Sequence, residues 1–200
     1  MLRTPVGLIY HSLADVNEKL SLGRYFFIDI LRDGIVLFEE PGHPFVEPTP
    51  LSPAQALAET RDYFEEWFES ADDFLESATD ALAKGKLKLA AFLLHQATER
   101  YYHCLFLVRT LYSPKTHNLN RLRDITEALE PSLKQVWPRD TRLHKHCFSL
   151  LRDAYVKARY SRSYVITGEQ LEWISERVAV LQTLVREACE LRIDTLAKAA

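Results

Sequence analysis

The sequence is poor in cysteine, with three in 200 residues: Cys104, Cys147 and Cys189, far apart and odd in number. Their spacing fits neither a zinc site nor a disulfide framework, so buried free thiols in a reducing compartment are expected. No apolar run reaches the roughly 18 residues a membrane-spanning helix needs, and the first residues lack the apolar stretch of a secretory signal. A cytoplasmic protein with no membrane association is the expectation. An excess of charge of one sign is also missing. With 25 Lys and Arg against 28 Asp and Glu, the net charge is −3, which excludes global attraction to nucleic acid but leaves local patches open. There is no internal repeat and no low-complexity tract. What is present is a 47% hydrophobic, 11% aromatic composition, enough for one compact core at this length.

The first 45 residues differ from the rest. PVGLIYH reads as a strand and SLADVNEKL as a short helix. GRYFFIDIL and GIVLFEE are β-rich and flank Arg32-Asp33-Gly34, and Asp-Gly between apolar runs predicts a hairpin. Pro41, Pro44, Pro48 and Pro50 then mark a linker. A helical body follows. Ser52-Pro53-Ala54-Gln55 offers an N-cap, a first-turn proline and a capping-box glutamine. Phe64, Trp67, Phe68, Ala71, Leu75, Ala78 and Leu82 recur at helical spacing. Residues 51–84 hold nine Asp or Glu against two Lys or Arg, and Glu65, Glu66, Glu69, Asp72 and Asp73 read as a solvated face. Further helices are expected over about 86–111, 118–129, 140–158 and 168–195, the last opened by a second capping box at Thr167-Gly168-Glu169-Gln170.

The second of these helices carries an unusual polar cluster among apolar neighbours: His95, Gln96, Glu99, Arg100 and Tyr102. His95, Glu99 and Tyr102 follow i, i+4, i+7 and so share a face, whereas Arg100 points elsewhere. Two ligands are too few for zinc, and His103 and His117 can join only through tertiary contacts. The cluster can be a buried hydrogen-bond network, a ligand site working with Arg159, or catalytic. No metal and no cofactor are expected.

Three segments, AAFLLHQATERYYHCLFLV, THNLNRLR and LLRDAYVKARYSRSY, in this order and spacing over residues 55–195, resemble HEPN domains. These small helical bundles are found next to or fused with minimal nucleotidyltransferases. DVNEKLSLGRYFFIDILRDGIVLFEE resembles the tail of such a nucleotidyltransferase, without its Gly-Ser motif and paired aspartates. The resemblance implies an all-α protein: an antiparallel bundle of about five helices with an up-and-down four-helix core, preceded by a small α/β fragment with a β-hairpin. The domains expected are a truncated nucleotidyltransferase-like remnant over 1–45 and the bundle over 46–200.

Many HEPN domains are metal-independent ribonucleases and toxins of toxin–antitoxin pairs, acting as homodimers. Their active site is an Arg followed after four to six residues by a His. Arg159 matches the arginine, but Tyr164 stands where the histidine is expected. A tyrosine near pKa 10 is a poor base at neutral pH where imidazole is a good one. Arg139 with His144 or His146 satisfies the bare pattern, about twenty residues too early. The other branch of the family is linked to nucleotide binding, which fits residues 139–164, where seven Lys or Arg face two Asp. Arg152, Lys157, Arg159, Arg162 and Tyr164 are the expected phosphate- or nucleotide-binding residues, with His95, Glu99 and Tyr102 in support and Tyr155, Tyr160 and Tyr164 able to stack on a base. The reading is a homodimeric protein that binds nucleotide or RNA, accessory to a nucleotidyltransferase partner. The alternatives are a metal-independent ribonuclease toxin using Arg159 with His95 or His144, and a purely structural dimeric bundle.

Overall fold

A computed structural model describes residues 9–200. Seven α-helices occur among them, α1 (Leu13–Ser21), α2 (Tyr25–Asp33), α3 (Pro53–Ala83), α4 (Leu87–Thr110), α5 (Leu119–Leu129), α6 (Arg142–Tyr160) and α7 (Gly168–Ala197), with a 3-10 turn at Pro131–Gln135. The chain divides into two compact units, one ending at Ser52 and the other beginning at Pro53.

The first unit corrects the expected α/β fragment. No strand occurs among the described residues, and the hairpin is replaced by helix α2 followed by a segment without regular structure. Its first arm is helical because YFFIDILRD places its apolar residues at helical as well as alternating spacing, and Phe27 is buried. Asp33-Gly34 ends the helix instead of turning a hairpin: Gly34 N–H donates to Ile30 O at 2.8 Å. A Cβ there would come within 2.2 Å of that same carbonyl oxygen, which accounts for the glycine without a β-turn. The proposed first strand, PVGLIYH, lies largely outside the described residues; Ile9 and Tyr10 have no regular structure. Helix α1 forms where expected, with Ser12 Oγ accepting from Asp15 N–H. The linker folds back on it through Asn17, which accepts from Val46 N–H and donates to Pro44 O.

The second unit is a bundle around α4. Helix α4 packs against α3, α5, α6 and α7, and α3 and α6 also pack against α7. The three-residue turn after α3, closed by Gly85 at φ +69°, makes α3 and α4 antiparallel neighbours. Ala71, Ala78 and Ala81 on α3 and Ala90, Ala91 and Ala97 on α4 are buried, so the two backbones approach closely. Leu94, Tyr101, Leu105, Leu151, Leu171, Ile174, Val178 and Leu181 fill the centre. Asp72 departs from the solvated acidic face: it accepts from Tyr101 Oη at 2.6 Å and Gln182 Nε2 at 2.8 Å, tying α3, α4 and α7 together. Thr167 and Gln170 form the expected capping box. All three cysteines are buried free thiols. Among the described residues no helix is long and apolar enough to cross a membrane.

Candidate functional site

Helix α4 ends at Thr110, and its C-cap Leu111 takes a left-handed conformation at φ 50° and turns the chain into the loop 111–118. His103 latches this loop to the helix. Its Nε2 lies 3.2 Å from Thr116 O, and its Nδ1 meets Ser113 Oγ. A carbonyl only accepts, so Nε2 carries the proton and Nδ1 accepts from the serine. Burial holds the His103 imidazole below its usual range, against the opposing pull of Glu99 and the Thr116 carbonyl, which suits this neutral form. Asn118 then caps α5, its side chain accepting from the N–H groups of Asn120 and Arg121. His117 is thus fixed between a latched loop and a capped helix.

The result is a cluster that local spacing in the sequence does not reveal. His117 Nδ1 donates to Glu99 Oε1 at 2.9 Å, while His95 Nε2 stands 3.4 Å from Glu99 Oε2. His95 is fully buried and its Nδ1 donates to Leu151 O at 3.0 Å. Burial would raise the Glu99 carboxyl, but the two imidazoles outweigh it and hold the group below the usual carboxylate range. Both imidazoles stack on the Tyr155 ring of α6, with centroids 5.3 Å away for His95 and 5.0 Å for His117. The Arg159 guanidinium lies 4.7 Å from the same ring and 5.0 Å from that of Phe92. The structure therefore joins the polar cluster of α4 to Arg159 through Tyr155.

His117 is the exposed member, its side chain 63% accessible against 10% for Glu99. With Nδ1 given to the carboxylate, its Nε2 is the open nitrogen, and it borders two clefts. One, of about 560 Å³, lies between α3, α4 and the loop and is lined by Trp67, Glu99, Arg100 and His103 among others. The smaller, of about 360 Å³, is lined by Arg152, Tyr155 and Lys157. Arg152 donates to Asp153 and to Ser149 Oγ, each at 2.9 Å, and Lys157 donates to Asp153 at 2.8 Å. One carboxylate thus holds two cations at the edge of the smaller cleft. The pair outweighs burial to keep Asp153 below its usual range.

The other expected residues lie apart from this geometry. Tyr164 is buried and donates to Leu150 O at 3.0 Å, and burial pushes its hydroxyl well above the usual tyrosine range. It braces the turn after α6. Tyr102 is fully buried and accepts from Trp137 Nε1 at 2.8 Å, away from His95 and Glu99. Arg162 and Tyr160 are exposed at the end of α6. Arg139 is bound to Glu127 at 2.9 Å, and His144 to Asp140 at 2.7 Å, stacked on Trp173. His146 is exposed. No group of three or more His, Cys, Asp or Glu is arranged to hold a metal ion among the described residues.

The sequence places Gln96 and Arg100 in the polar cluster of α4 and lets His117 join only through tertiary contacts, without giving the three a role. Gln96, Arg100, His103 and Leu107 recur at i, i+4, i+7, i+11, a stripe that was legible. His117, beyond a loop, left only its place one residue before an N-cap as a signal.

The chain belongs to the HEPN domain family: the family model matches residues 64–188, from the first half of α3 to the last third of α7. Among curated proteins none matches the sequence.

Proposed function

We propose that this HEPN protein binds RNA and cleaves it without a metal ion, with His117 in the role that the histidine of the Arg-x4-6-His pattern plays elsewhere in the family. The observation that carries this reading is the Glu99–His117 pair stacked on Tyr155, the ring that Arg159 also approaches: a buried carboxylate orients an exposed imidazole and leaves Nε2 open. Such a pair is suited to general acid–base work. Nε2 takes the proton of a ribose 2′-hydroxyl, the 2′-oxygen attacks the adjacent phosphorus, and the P–O5′ bond breaks. The 5′-oxygen leaves with a proton from solvent, and the other product ends in a 2′,3′-cyclic phosphate. Arg152 and Lys157, with Arg159 further along α6 and Arg162 in the turn after it, supply charge for the phosphates. Tyr164 and Tyr102 serve the fold in this reading, and His95 positions Glu99.

RNA incubated with the full chain in excess EDTA tests the proposal. Cleavage to cyclic-phosphate ends, abolished in Arg159→Ala and His117→Ala, is expected. Uncut RNA, or cutting that survives both substitutions, contradicts it. The second reading is nucleotide binding without cleavage, beside a nucleotidyltransferase partner. The basic edge of the smaller cleft favours it, and saturable ATP or GTP binding by a protein that leaves RNA intact would select it. Either reading retains the homodimer expected from the sequence, which sedimentation tests.

A further inference from the structure

The larger cleft beside His117 holds cations that the acid–base pair does not use. Arg100 and Lys115 both line it, and among the described residues neither makes a hydrogen bond or an ion pair. Nearby cations are committed: Arg109 to Glu130 at 3.3 Å, Arg152 and Lys157 to Asp153, and Arg159 to the Tyr155 carbonyl. Glu99 is the one carboxylate among the residues lining the cleft, and His117 already engages it at 2.9 Å. A concave wall with two uncommitted cations is matched by an anion.

The same wall is aromatic. The Arg100 guanidinium carbon lies 4.5 Å from the Trp67 ring centroid, a contact that holds the group in place without using its N–H donors. Trp67 and Tyr63, one turn apart on α3, are half-buried and line the same space. A guanidinium beside aromatic rings is a surface on which nucleobases stack, and every base has a face to offer it. The cleft, at about 560 Å³, falls in the range of small-molecule sites. A bare anion would leave the rings unused, whereas a nucleotide uses both the rings and the cations.

We infer that this cleft is a nucleotide subsite that selects no particular base: the base stacks against Arg100 and the Trp67–Tyr63 wall, and a phosphate meets Lys115 and the edge of Arg100. The inference rests on the proposed RNA reading and extends it. His117 lines both this cleft and the one edged by Arg152 and Lys157, so a single strand seated in both passes over the open Nε2.

The test uses short single-stranded DNA homopolymers of thymidine, deoxyadenosine and deoxycytidine. They lack the 2′-hydroxyl that the proposed cleavage needs, so they read binding alone. Saturable quenching of the tryptophan fluorescence of the full chain is expected with all three, at affinities within about tenfold of one another. Quenching should vanish in Trp67→Phe, while the anisotropy of a labelled strand still reports binding. Arg100→Ala should weaken binding about fivefold or more, the low end for a stacking contact, and Lys115→Ala should lower the log–log salt slope by about 0.7. Arg109→Ala should change neither. No saturable binding, a wider spread among the three strands, or quenching that survives Trp67→Phe overturns the subsite. So does unchanged affinity in Arg100→Ala, an unchanged slope in Lys115→Ala, or inorganic polyphosphate that quenches as strongly as the strands. Lys115 is exposed, so its variant decides if Arg100→Ala folds poorly. RNA cleavage measured in parallel separates the two ideas. Cutting without these binding effects removes the subsite and leaves the ribonuclease, while these effects in a chain that leaves RNA intact remove the ribonuclease and leave the subsite.

Discussion

Two regions of the bundle each pair an arginine with histidine, and they teach opposite lessons. At Arg139 the Arg-x4-6-His pattern is complete in sequence, yet Arg139 is held by Glu127 and His144 by Asp140. At Arg159 the pattern is broken by Tyr164, yet the two imidazoles that flank Glu99 stack on the Tyr155 ring, which the guanidinium also approaches. Each histidine gives Nδ1 to a carboxylate, so the regions differ in exposure and in the arginine: His117 is 63% exposed against 25% for His144, and Glu127 takes Arg139 whereas Arg159 donates to the Tyr155 carbonyl and lies on aromatic rings. Packing of α4 against α6, with a latched loop, can bring in the same chemistry from far along the chain.

The comparison breaks most visibly at the histidines. On the proposed reading, His117→Ala lowers the RNA-cleavage rate by about 10²- to 10⁴-fold, the usual contribution of a positioned acid–base group. His144→Ala changes it by no more than about twofold. Equal losses in the two variants would erase the distinction between the regions. Initial rates in EDTA decide it.

Glu99 sharpens the same contrast. Glu99→Gln keeps the shape of the side chain and removes its charge, so His117 loses an ionic anchor. The expected loss is smaller, about 10- to 100-fold in kcat with KM nearly unchanged, since a positioning group contributes less than the base it orients. Asp140→Asn, the equivalent change beside His144, should leave cleavage unaltered.

Charge at the smaller cleft comes next. If Lys157 and Arg152 each meet one phosphate, removing either to Ala reduces the salt dependence of single-stranded RNA binding by about 0.7 in the log–log slope. Binding isotherms at several salt concentrations measure it. Arg139→Ala should leave the slope unchanged.

The smallest effect concerns stability. His103 is held neutral by burial, so its contribution is present above its unfolded pKa near 6.5 and is lost as pH falls from there toward its depressed native value. Glu99 is held ionised, so its contribution is present above about pH 4.3 and is lost below that. Urea unfolding at stepped pH should therefore show stability falling in two stages on acidification, each with a slope of at most about 1.4 kcal/mol per pH unit. His103→Gln should remove the first stage and keep the second.

The sequence was legible where a single helix decides the outcome. The five helices of the second unit lie within about two residues of the expected bounds, because apolar periodicity, Gly85 and the Thr167 capping box are local signals. It misled at residues 24–40, where Phe26, Phe27, Ile28 and Ile30 satisfy both helical and strand spacing. There Asp33-Gly34 serves as a helix stop. The site was half legible. His95, Glu99 and Arg159 could be named from α4 and α6, but Tyr102 and Tyr164 shared their spacing while pointing into the core. His117 could be named only as a residue brought in through tertiary contacts, since its approach to Glu99 depends on how His103 and Asn118 fold the intervening loop.

In the proposed site Glu99 holds His117 with its Nδ1 protonated and its Nε2 open, on the Tyr155 ring that Arg159 also approaches. Nitrogen-15 NMR of the histidine rings at neutral pH tests it most directly. The neutral His117 ring is expected to carry its proton on Nδ1, with that state weakened in Glu99→Gln and untouched in Asp140→Asn. A proton on Nε2, or a His117 signal indifferent to the loss of the Glu99 charge, would contradict the account.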